Sequence, residues 1–287
     1  MLGSLYSGVT GMRVHQQKLN VIGNNIANVN TIGFKKDRVV FQETFARTLQ
    51  AAYEPAGNRG GVNPMQVGTG VALSSIDTIH EQGDLASTGR MLDLAIQGEG
   101  YFIVAQPNGV VYTRAGSFDI DAAGNLINPA TGGFVQGWNA VGGVIDTSGA
   151  PTNITIDPRH LGLGGGSASE RLEQLTIDDR GRLIGVLADN TPIILGQVAL
   201  AMFPNPAGLN KVGGTSFSQS LNSGAPQVGE PQTGGRGRII PENLEMSNVD
   251  LVQEFTEMIT TQRGFQANSR VITTSDELLQ ETLNIKR

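Results

Sequence analysis

The sequence predicts an α+β protein in which a helix at each chain end flanks a middle segment of antiparallel β-structure. Apolar residues recur at seven-residue intervals near both termini, whereas short runs of the middle alternate between apolar and polar residues. Glycine accounts for 39 of the 287 residues and aromatic residues for 5%. This composition is typical of a chain with many turns around a thin core.

The bulk composition argues against several classes of protein. The net charge of −6 without a basic patch makes a nucleic-acid partner improbable. The chain has no cysteine, which excludes disulfides, thiolate zinc sites and cysteine nucleophiles. The first eleven residues lack a basic region followed by an apolar one, so no cleaved secretory signal is expected. No run of 18 apolar residues predicts a transmembrane helix.

The N-terminal segment is predicted to be a helix with one apolar stripe. The stripe consists of Leu5, Met12, Leu19 and Ile26. This seven-residue spacing is typical of a coiled-coil seam. The asparagine and glycine residues that lead to Gly33 predict the end of the helix.

The C-terminal segment carries a longer stripe of the same spacing. Its members are Leu251, Met258, Phe265, Ile272 and Leu279. Phe255 is assigned to the second position of the seam, where the polar residues Gln262, Ser269 and Asp276 follow it and weaken it. The pattern from Ser247 to Asp250 resembles a capping box and predicts the start of the helix.

Neither predicted helix has the dense pairing of glutamate with lysine that stabilises an isolated helix. The stripes therefore need a partner. They could pack on each other or on the middle of the chain. Alternatively, they could pack on neighbouring copies of the chain, with both ends disordered before assembly.

The domain boundaries follow from these patterns. Residues 1–45 and 244–287 are expected to form a helical coiled-coil assembly domain, and residues 71–223 a β-rich outer domain. Residues 46–70 and 224–243 are rich in glycine, proline and polar residues and are expected to be linkers, with loop at 55–70 and 224–237. Within the β-rich domain, 118–127 and 175–184 predict hairpins, 101–104, 110–112 and 198–203 predict strands, and 162–167 predicts a loop.

A search for catalytic or metal-binding residues finds no convincing group. The three histidines, His15, His80 and His160, have no second ligand at metal-binding spacing. Asp93 is a lone carboxylate in an apolar strand, for which a structural hydrogen bond is favoured over a role as general acid. No nucleophile elbow or phosphate-binding loop occurs. The sequence thus predicts no enzyme, no catalytic, cofactor or metal site, and no small-molecule substrate.

Motifs along nearly the whole chain resemble those of the flagellar rod and hook proteins. The N-terminal motif is carried by Ala27, Asn28, Thr31, Gly33, Phe34 and Lys35. The middle contributes residues 92–102 and 112–118, and the end contributes 244–255 and 262–276. Each motif is moderately specific, and together they are very specific.

The resemblance implies a structural subunit that polymerises into a helical tube outside the cytoplasm. A hook protein of the short Gram-positive type is favoured, with the distal rod protein as the alternative. The stretch 46–70 is similar in length to a segment that the distal rod carries.

The family also implies export through the flagellar type III apparatus without a cleaved signal. Phe41 and Phe45 match the element that the export gate reads, with ordinary packing as the competing explanation. The implied partners are further copies of the chain, the rod, the hook cap, the hook–filament junction proteins and the export gate.

Overall fold

A computed structural model describes residues 2–55, 60–141, 143–147, 149–156, 172–187 and 190–285. The fold is α+β, with one helix near each end of the chain and antiparallel strands between them. The expected loop at 162–167 and His160 lie outside the described residues. No helix among the described residues is both long and apolar enough to span a membrane.

The chain divides into two compact units, which we name the helical unit and the β unit. The helical unit comprises Met1–Ala27, Asp37–Ile79 and Val249–Arg287. The β unit comprises Asn28–Lys36 and His80–Asn248. The domain boundaries expected from the sequence stay a prediction.

The helical unit contains α1 (Leu2–Ala27) and α2 (Leu251–Ile285). Four strands belong to it as well: β1 (Asp37–Glu43), β2 (Ala46–Gln50), β3 (Met65–Gly68) and β4 (Val71–Thr78). Strand β1 pairs with β4, and β2 pairs with β3, both in antiparallel fashion. The prediction of a loop at residues 55–70 is therefore wrong for β3, because backbone pairing with β2 makes this segment an extended strand.

The capping prediction for α2 also needs correction. The helix begins at Leu251. The carboxylate of Asp250 accepts hydrogen bonds from the backbone N–H groups of Val252, at 2.8 Å, and Gln253, at 3.3 Å. Asp250 is thus the N-cap, since its oxygen satisfies donors of the first turn that have no partner within the helix. The prediction had placed the cap at Ser247.

The strands of the β unit follow in chain order: β5 (Leu85–Ser87), β6 (Leu94–Gln97), β7 (Tyr101–Gln106), β8 (Gly109–Thr113), β9 (Asp119–Ile120), β10 (Leu126–Asn128), β11 (Gly133–Val141), β12 (Val144–Ile145), β13 (Thr152–Asn153), β14 (Leu172–Ile177), β15 (Arg182–Leu187), β16 (Pro192–Val198), β17 (Leu200–Met202), β18 (Asn210–Gly213), β19 (Ser216–Ser218), β20 (Gln227–Gly229), β21 (Arg238–Pro241) and β22 (Asn243–Glu245). A short 3₁₀ helix, Pro206–Gly208, precedes β18.

Most of these strands form one large antiparallel sheet. Its main path runs β14-β15-β16-β11-β7-β8-β19-β18. Two further pairs, β21 with β6 and β22 with β5, bring the end of the β unit back to its beginning. The predicted hairpins are confirmed as β9-β10 and β14-β15, and Gly124 and Gly181 supply the positive φ angles of their turns.

Two expectations for the β unit are wrong in detail. The single strand expected at 198–203 is two strands, β16 and β17, because the pairing partner changes from β11 to β7 between them. The loop expected at 224–237 contains β20, which pairs with β17.

The core of the β unit lies on both faces of β7. Phe102 belongs to one buried cluster, together with Leu94, Phe118 and Leu126. Its neighbours Tyr101 and Ile103 belong to a second, more aromatic cluster. Side chains alternate between the faces of a strand, so burial of both faces accounts for the continuous apolar run that begins at Tyr101.

Candidate functional site: the helix contact and the motif cluster

The two helices of the helical unit contact each other through small residues in antiparallel register. The Ser4 hydroxyl lies 3.4 Å from the Ser275 hydroxyl, and at the other end of the contact Asn25 Nδ2 donates to Glu254 Oε2 at 3.2 Å. Between these pairs, a Cβ placed on Gly11 would lie 2.8 Å from Asn268 Oδ1. The Asn268 side chain therefore occupies the space that a larger residue at position 11 would need.

The contact fixes which positions of α2 face α1. The deeply buried residues of α2 are Glu254, Thr261 and Ser275. With Asn268 they form a seven-residue series on the side of α2 that faces α1. This series lies one residue before Phe255 and Gln262, the residues that were assigned to the second seam position from the sequence. Within one chain, small polar residues, and not large apolar ones, make the closest contacts between the helices.

The large apolar residues of the predicted seam are only partly covered within one chain. Leu5, Met12, Leu19 and Ile26 of α1 are half-buried, as are Met258, Phe265, Ile272 and Leu279 of α2. Leu251 and Phe255 are exposed. Their assignment to an assembly seam stays a prediction.

A patch near the start of α2 is apolar and exposed. Val252, Phe255 and Ile259 are 76%, 50% and 58% exposed. Their spacing of three and four residues places them on one side of the helix. We call these three residues the α2 patch.

Asn25 is the polar centre of the helical unit. It is 1% exposed. Besides its bond to Glu254, its amide nitrogen lies 2.9 Å from the backbone oxygen of Asp37, and its side-chain oxygen accepts from the backbone N–H of Asp37 at 3.1 Å. One side chain therefore fixes the start of β1 and the start of α2 to α1.

The two phenylalanines of the expected export motif differ in their surroundings. Phe41 lies on β1, and its ring meets the His15 ring edge-on at 5.7 Å between centroids. Phe45 is 89% exposed. Phe41, at 36% exposed, is therefore partly packed within the helical unit, whereas Phe45 has almost no packing there. Recognition by an export gate stays a prediction.

The family motifs at the two chain ends meet in the β unit around Glu245. The backbone N–H of Gly33 donates to the Glu245 carbonyl at 2.8 Å. Gly33 has a φ of +68°, and a Cβ there would lie 2.6 Å from the backbone nitrogen of Ala115. Glycine is required at this position both for the positive φ and for the close approach.

Two buried cations share the Glu245 carboxylate. Lys35 Nζ lies 2.5 Å from Oε1, and Arg114 Nη1 lies 3.2 Å from Oε2. The side chains of Lys35 and Glu245 are 0% exposed, and that of Arg114 is 4% exposed. Burial lowers the pKa of Lys35, because the cost of desolvating its ammonium group exceeds the favourable effect of Glu245. We call Lys35, Arg114 and Glu245 the ionic cluster.

Neighbouring backbone groups add hydrogen bonds to the ionic cluster, although Arg114 Nε is buried without a partner. Lys35 Nζ also donates to the backbone oxygen of Glu81 at 2.6 Å, and Arg114 Nη2 donates to that of Gly98 at 2.9 Å. The Arg114 guanidinium lies 5.2 Å from the centroid of the Tyr101 ring. Burial raises the pKa of Tyr101 to about 12.

The remaining residues of the N-terminal motif form a turn. Thr31 donates from its backbone to the Asn28 carbonyl and from its hydroxyl to the Asn28 side chain, each at 3.1 Å. The Phe34 ring lies 5.4 Å from Lys211 Nζ. Ala27 is the last residue of α1. The motif was visible in the sequence, but the pairing of its lysine with Glu245 was not.

His80 and Asp93, which were also considered as site residues from the sequence, have polar neighbours within the β unit. His80 Nδ1 lies 2.8 Å from the Tyr101 hydroxyl. Asp93 is 2% exposed, and its Oδ1 lies 3.9 Å from Arg90 Nη1. Within the part of the chain that the structure describes, no three histidine, aspartate or glutamate residues cluster as metal ligands would.

These features describe a protein whose two chain ends form one unit around a helix pair, while the middle forms a separate β unit. Three family models match it in this order along the chain. "Flagella basal body rod protein" matches residues 5–35, "Flagellar hook protein FlgE/F/G D1 domain" matches 95–184, and "Flagellar basal body rod FlgEFG protein C-terminal" matches 240–285.

Complete proteins are similar over the same span. The flagellar basal-body rod protein FlgG of Bacillus subtilis is 44% identical over 288 aligned residues, with 100% of each chain covered. The flagellar hook protein FlgE of Borreliella burgdorferi is 32% identical over 441 aligned residues, again with 100% of each chain covered. The FlgG protein of Agrobacterium fabrum is 38% identical, with 96% of each covered.

The chain therefore belongs to the family of flagellar basal-body rod and hook proteins, which confirms the resemblance read from its motifs. The relatives are structural components of the flagellum and not enzymes. The ionic cluster joins two of the matched segments, since Lys35 ends the first and Glu245 lies in the third.

Proposed function

We propose that this protein is the distal rod subunit of the bacterial flagellum, part of the rigid shaft that transmits motor torque. The end-to-end match to a rod protein carries the proposal. It needs 288 aligned positions for a chain of 287 residues, at 44% identity. The alignment to a hook protein runs to 441 positions at 32% identity, so that hook protein contains long segments this chain lacks.

The hook subunit, which the motifs of the sequence favour, is the second candidate. Full-length similarity to hook proteins of two organisms supports this alternative, at 32% and 30% identity. A hook subunit would form a flexible joint between the shaft and the filament. We favour the rod subunit because the rod relative is more similar and aligns with this chain almost without gaps.

The proposed assembly mechanism uses the apolar residues that one chain leaves uncovered. Small residues bring α1 and α2 together, and the larger seam residues remain half-buried beside this contact. We propose that neighbouring copies cover these residues and the α2 patch, and that the helices form a coiled-coil inner tube. Complete burial of one large apolar side chain contributes about 1.5–3 kcal/mol.

Such contacts join different surfaces of successive copies. Heterologous contacts that do not close into a ring generate a helical tube. The β unit then forms the outer part of the subunit, consistent with the domain roles expected from the sequence. Residues 1–45 and 244–287 would supply the assembly domain.

The proposed location is the axial structure outside the cytoplasm, reached through the type III export gate without a cleaved signal. Phe41 and Phe45 are the proposed export element. The proposed partners are further copies of this chain, adjacent rod proteins and the hook, with hook-cap and junction proteins replacing them if the chain is the hook subunit. Membership of the family supports this arrangement.

Electron microscopy of basal bodies from a strain that lacks the gene tests the proposal. A distal rod subunit predicts basal bodies whose shaft is incomplete and which carry no hook. Basal bodies with a complete shaft but no hook would instead identify the hook subunit. Normal flagella in a strain without a second copy of the gene would contradict both. Expression of the intact gene from a plasmid is the control.

A further inference from the structure

We infer that the ionic cluster is a folding checkpoint, which keeps the core of the β unit from closing until the segment 243–248 has docked. The inference concerns the folding of the β unit and does not depend on where the protein sits in the flagellum. It rests on the position of Glu245 in the chain, the burial of its partners and the absence, among the described residues, of a second anion paired with them.

The cluster joins residues that are far apart in sequence. Glu245 is 210 residues from Lys35 and 131 residues from Arg114. Most of the main apolar cluster of the β unit lies between residues 94 and 200, and Ile239 is its last member. Nearly all of the apolar core therefore precedes Glu245 in a chain delivered N-terminus first, as it is during synthesis.

The charge balance before docking is unfavourable. Lys35 and Arg114 are both buried in the folded β unit. Among the residues that the structure describes, Glu245 is the only carboxylate with which either forms an ion pair. A core that closed without Glu245 would contain two buried cations and no paired anion. A buried charge without a partner strongly destabilises a folded state.

The same segment also completes the backbone pairing. Strand β22 pairs with β5, and the Met246 N–H donates to the Asp84 carbonyl at 2.8 Å. The backbone of Gly83 donates to Glu245 Oε1 at 3.0 Å. Because strand pairing and charge neutralisation occur together, docking of this segment and closure of the core are one step.

The apolar packing of the core could instead be strong enough to close without Glu245. The two descriptions differ in the order of events and in the effect of removing charge. Without a checkpoint, the core would fold first and the segment 243–248 would dock on it later. In that case the ion pairs would be only local contacts.

Stability variants of the full-length chain test the role of charge. Glu245→Gln keeps the side-chain size but removes the anion, and it should raise amide hydrogen exchange in β7 and β11 on the order of 100-fold. Glu230→Gln, in the same unit but outside the ionic cluster, is the matched control and should change the exchange rates of β7 and β11 little. Adding Lys35→Met to Glu245→Gln should recover part of the loss, since it removes one uncompensated cation.

Pulse-labelling exchange during refolding tests the order of events. In the unmodified chain, amides of β7 and β11 should become protected in the same kinetic phase as those of residues 243–246. In the triple variant Lys35→Met, Arg114→Leu, Glu245→Leu, whose cluster is uncharged, they should become protected earlier. Core protection that clearly precedes residues 243–246 in the unmodified chain would overturn the checkpoint. So would a failure of Lys35→Met to recover any stability.

Discussion

Gly264 of α2 lies directly against the imidazole ring of His15 of α1. A Cβ at position 264 would lie 2.7 Å from His15 Cε1, closer than any normal contact. On another side, the His15 ring meets the Phe41 ring at 5.7 Å between centroids. Glycine inside this long helix therefore leaves room for the His15 ring at the helix contact.

Replacing Gly264 with alanine should therefore destabilise the helical unit, even though alanine favours a helix by about 1 kcal/mol over glycine. We expect a net loss of about 1–3 kcal/mol from overpacking. Thermal unfolding monitored by circular dichroism would measure it. Gly23→Ala is the matched control, since a Cβ at Gly23 would meet nothing within 4 Å, and it should be neutral or stabilising. Equal stability gains in both variants would refute the close contact.

Gly33→Ala should destabilise the β unit by more than its backbone angle alone explains. Gly89 has nearly the same φ, +67° against +68°, but a Cβ there would meet nothing within 4 Å. Gly89→Ala thus measures the cost of the positive φ, about 1–2 kcal/mol. Gly33→Ala should cost more, because its Cβ also meets Ala115. Chemical denaturation of both variants gives the comparison, and equal losses would show that the close approach is unimportant.

The stability of the β unit should fall as the pH rises from about 10 to 12. The Tyr101 hydroxyl has a pKa of about 10 in the unfolded chain and about 12 in the folded one. In this interval the unfolded state loses the proton first, so the folded state binds more protons and stability decreases with pH. The contribution of Tyr101 is complete below pH 10 and is lost as the pH rises through 12.

Tyr101→Phe isolates that contribution. The variant should be less stable than the unmodified chain at pH 8, by about 1 kcal/mol for the lost bond to His80. Its free energy of unfolding should then fall less steeply between pH 10 and 12. The slopes of the two proteins should differ by at most about 1.4 kcal/mol per pH unit. Urea denaturation at a series of pH values measures both slopes. Parallel slopes would contradict the burial-driven shift.

Ile259→Asp should prevent assembly without unfolding the subunit. Ile259 is 58% exposed and lies in the α2 patch, so a carboxylate there remains solvated in the free chain. In an assembled tube the same carboxylate would be buried without a partner, which is strongly unfavourable. Motility and the yield of basal bodies measure assembly, and circular dichroism checks the fold. Thr260→Asp, which changes the exposed neighbouring residue, is the control. Normal assembly of Ile259→Asp would eliminate the α2 patch as a contact between copies.

The sequence predicted both helices, two hairpins and the strands β7 and β8, because their apolar spacing is a local property. It could not predict the contacts between distant segments that hold each unit together. The antiparallel contact of α1 with α2 depends on Gly11, Asn268 and Gly264, whose importance appears only when two backbones come together. Likewise, the motif lysine Lys35 was visible in the sequence, but its pairing with Glu245 crosses 210 residues and depends on strand pairing. Strand β3 was missed because glycine and proline nearby suggested a loop.

The most direct test of the proposed function is immunogold labelling with an antibody against the β unit. Whole cells and detergent-stripped basal bodies from the same culture would be compared by electron microscopy. A distal rod subunit predicts gold on the straight shaft of stripped basal bodies and none on the curved segment outside the cell. Gold on the curved segment alone would contradict the rod assignment and identify the hook subunit, and the absence of gold from both would contradict a place in the flagellar axis.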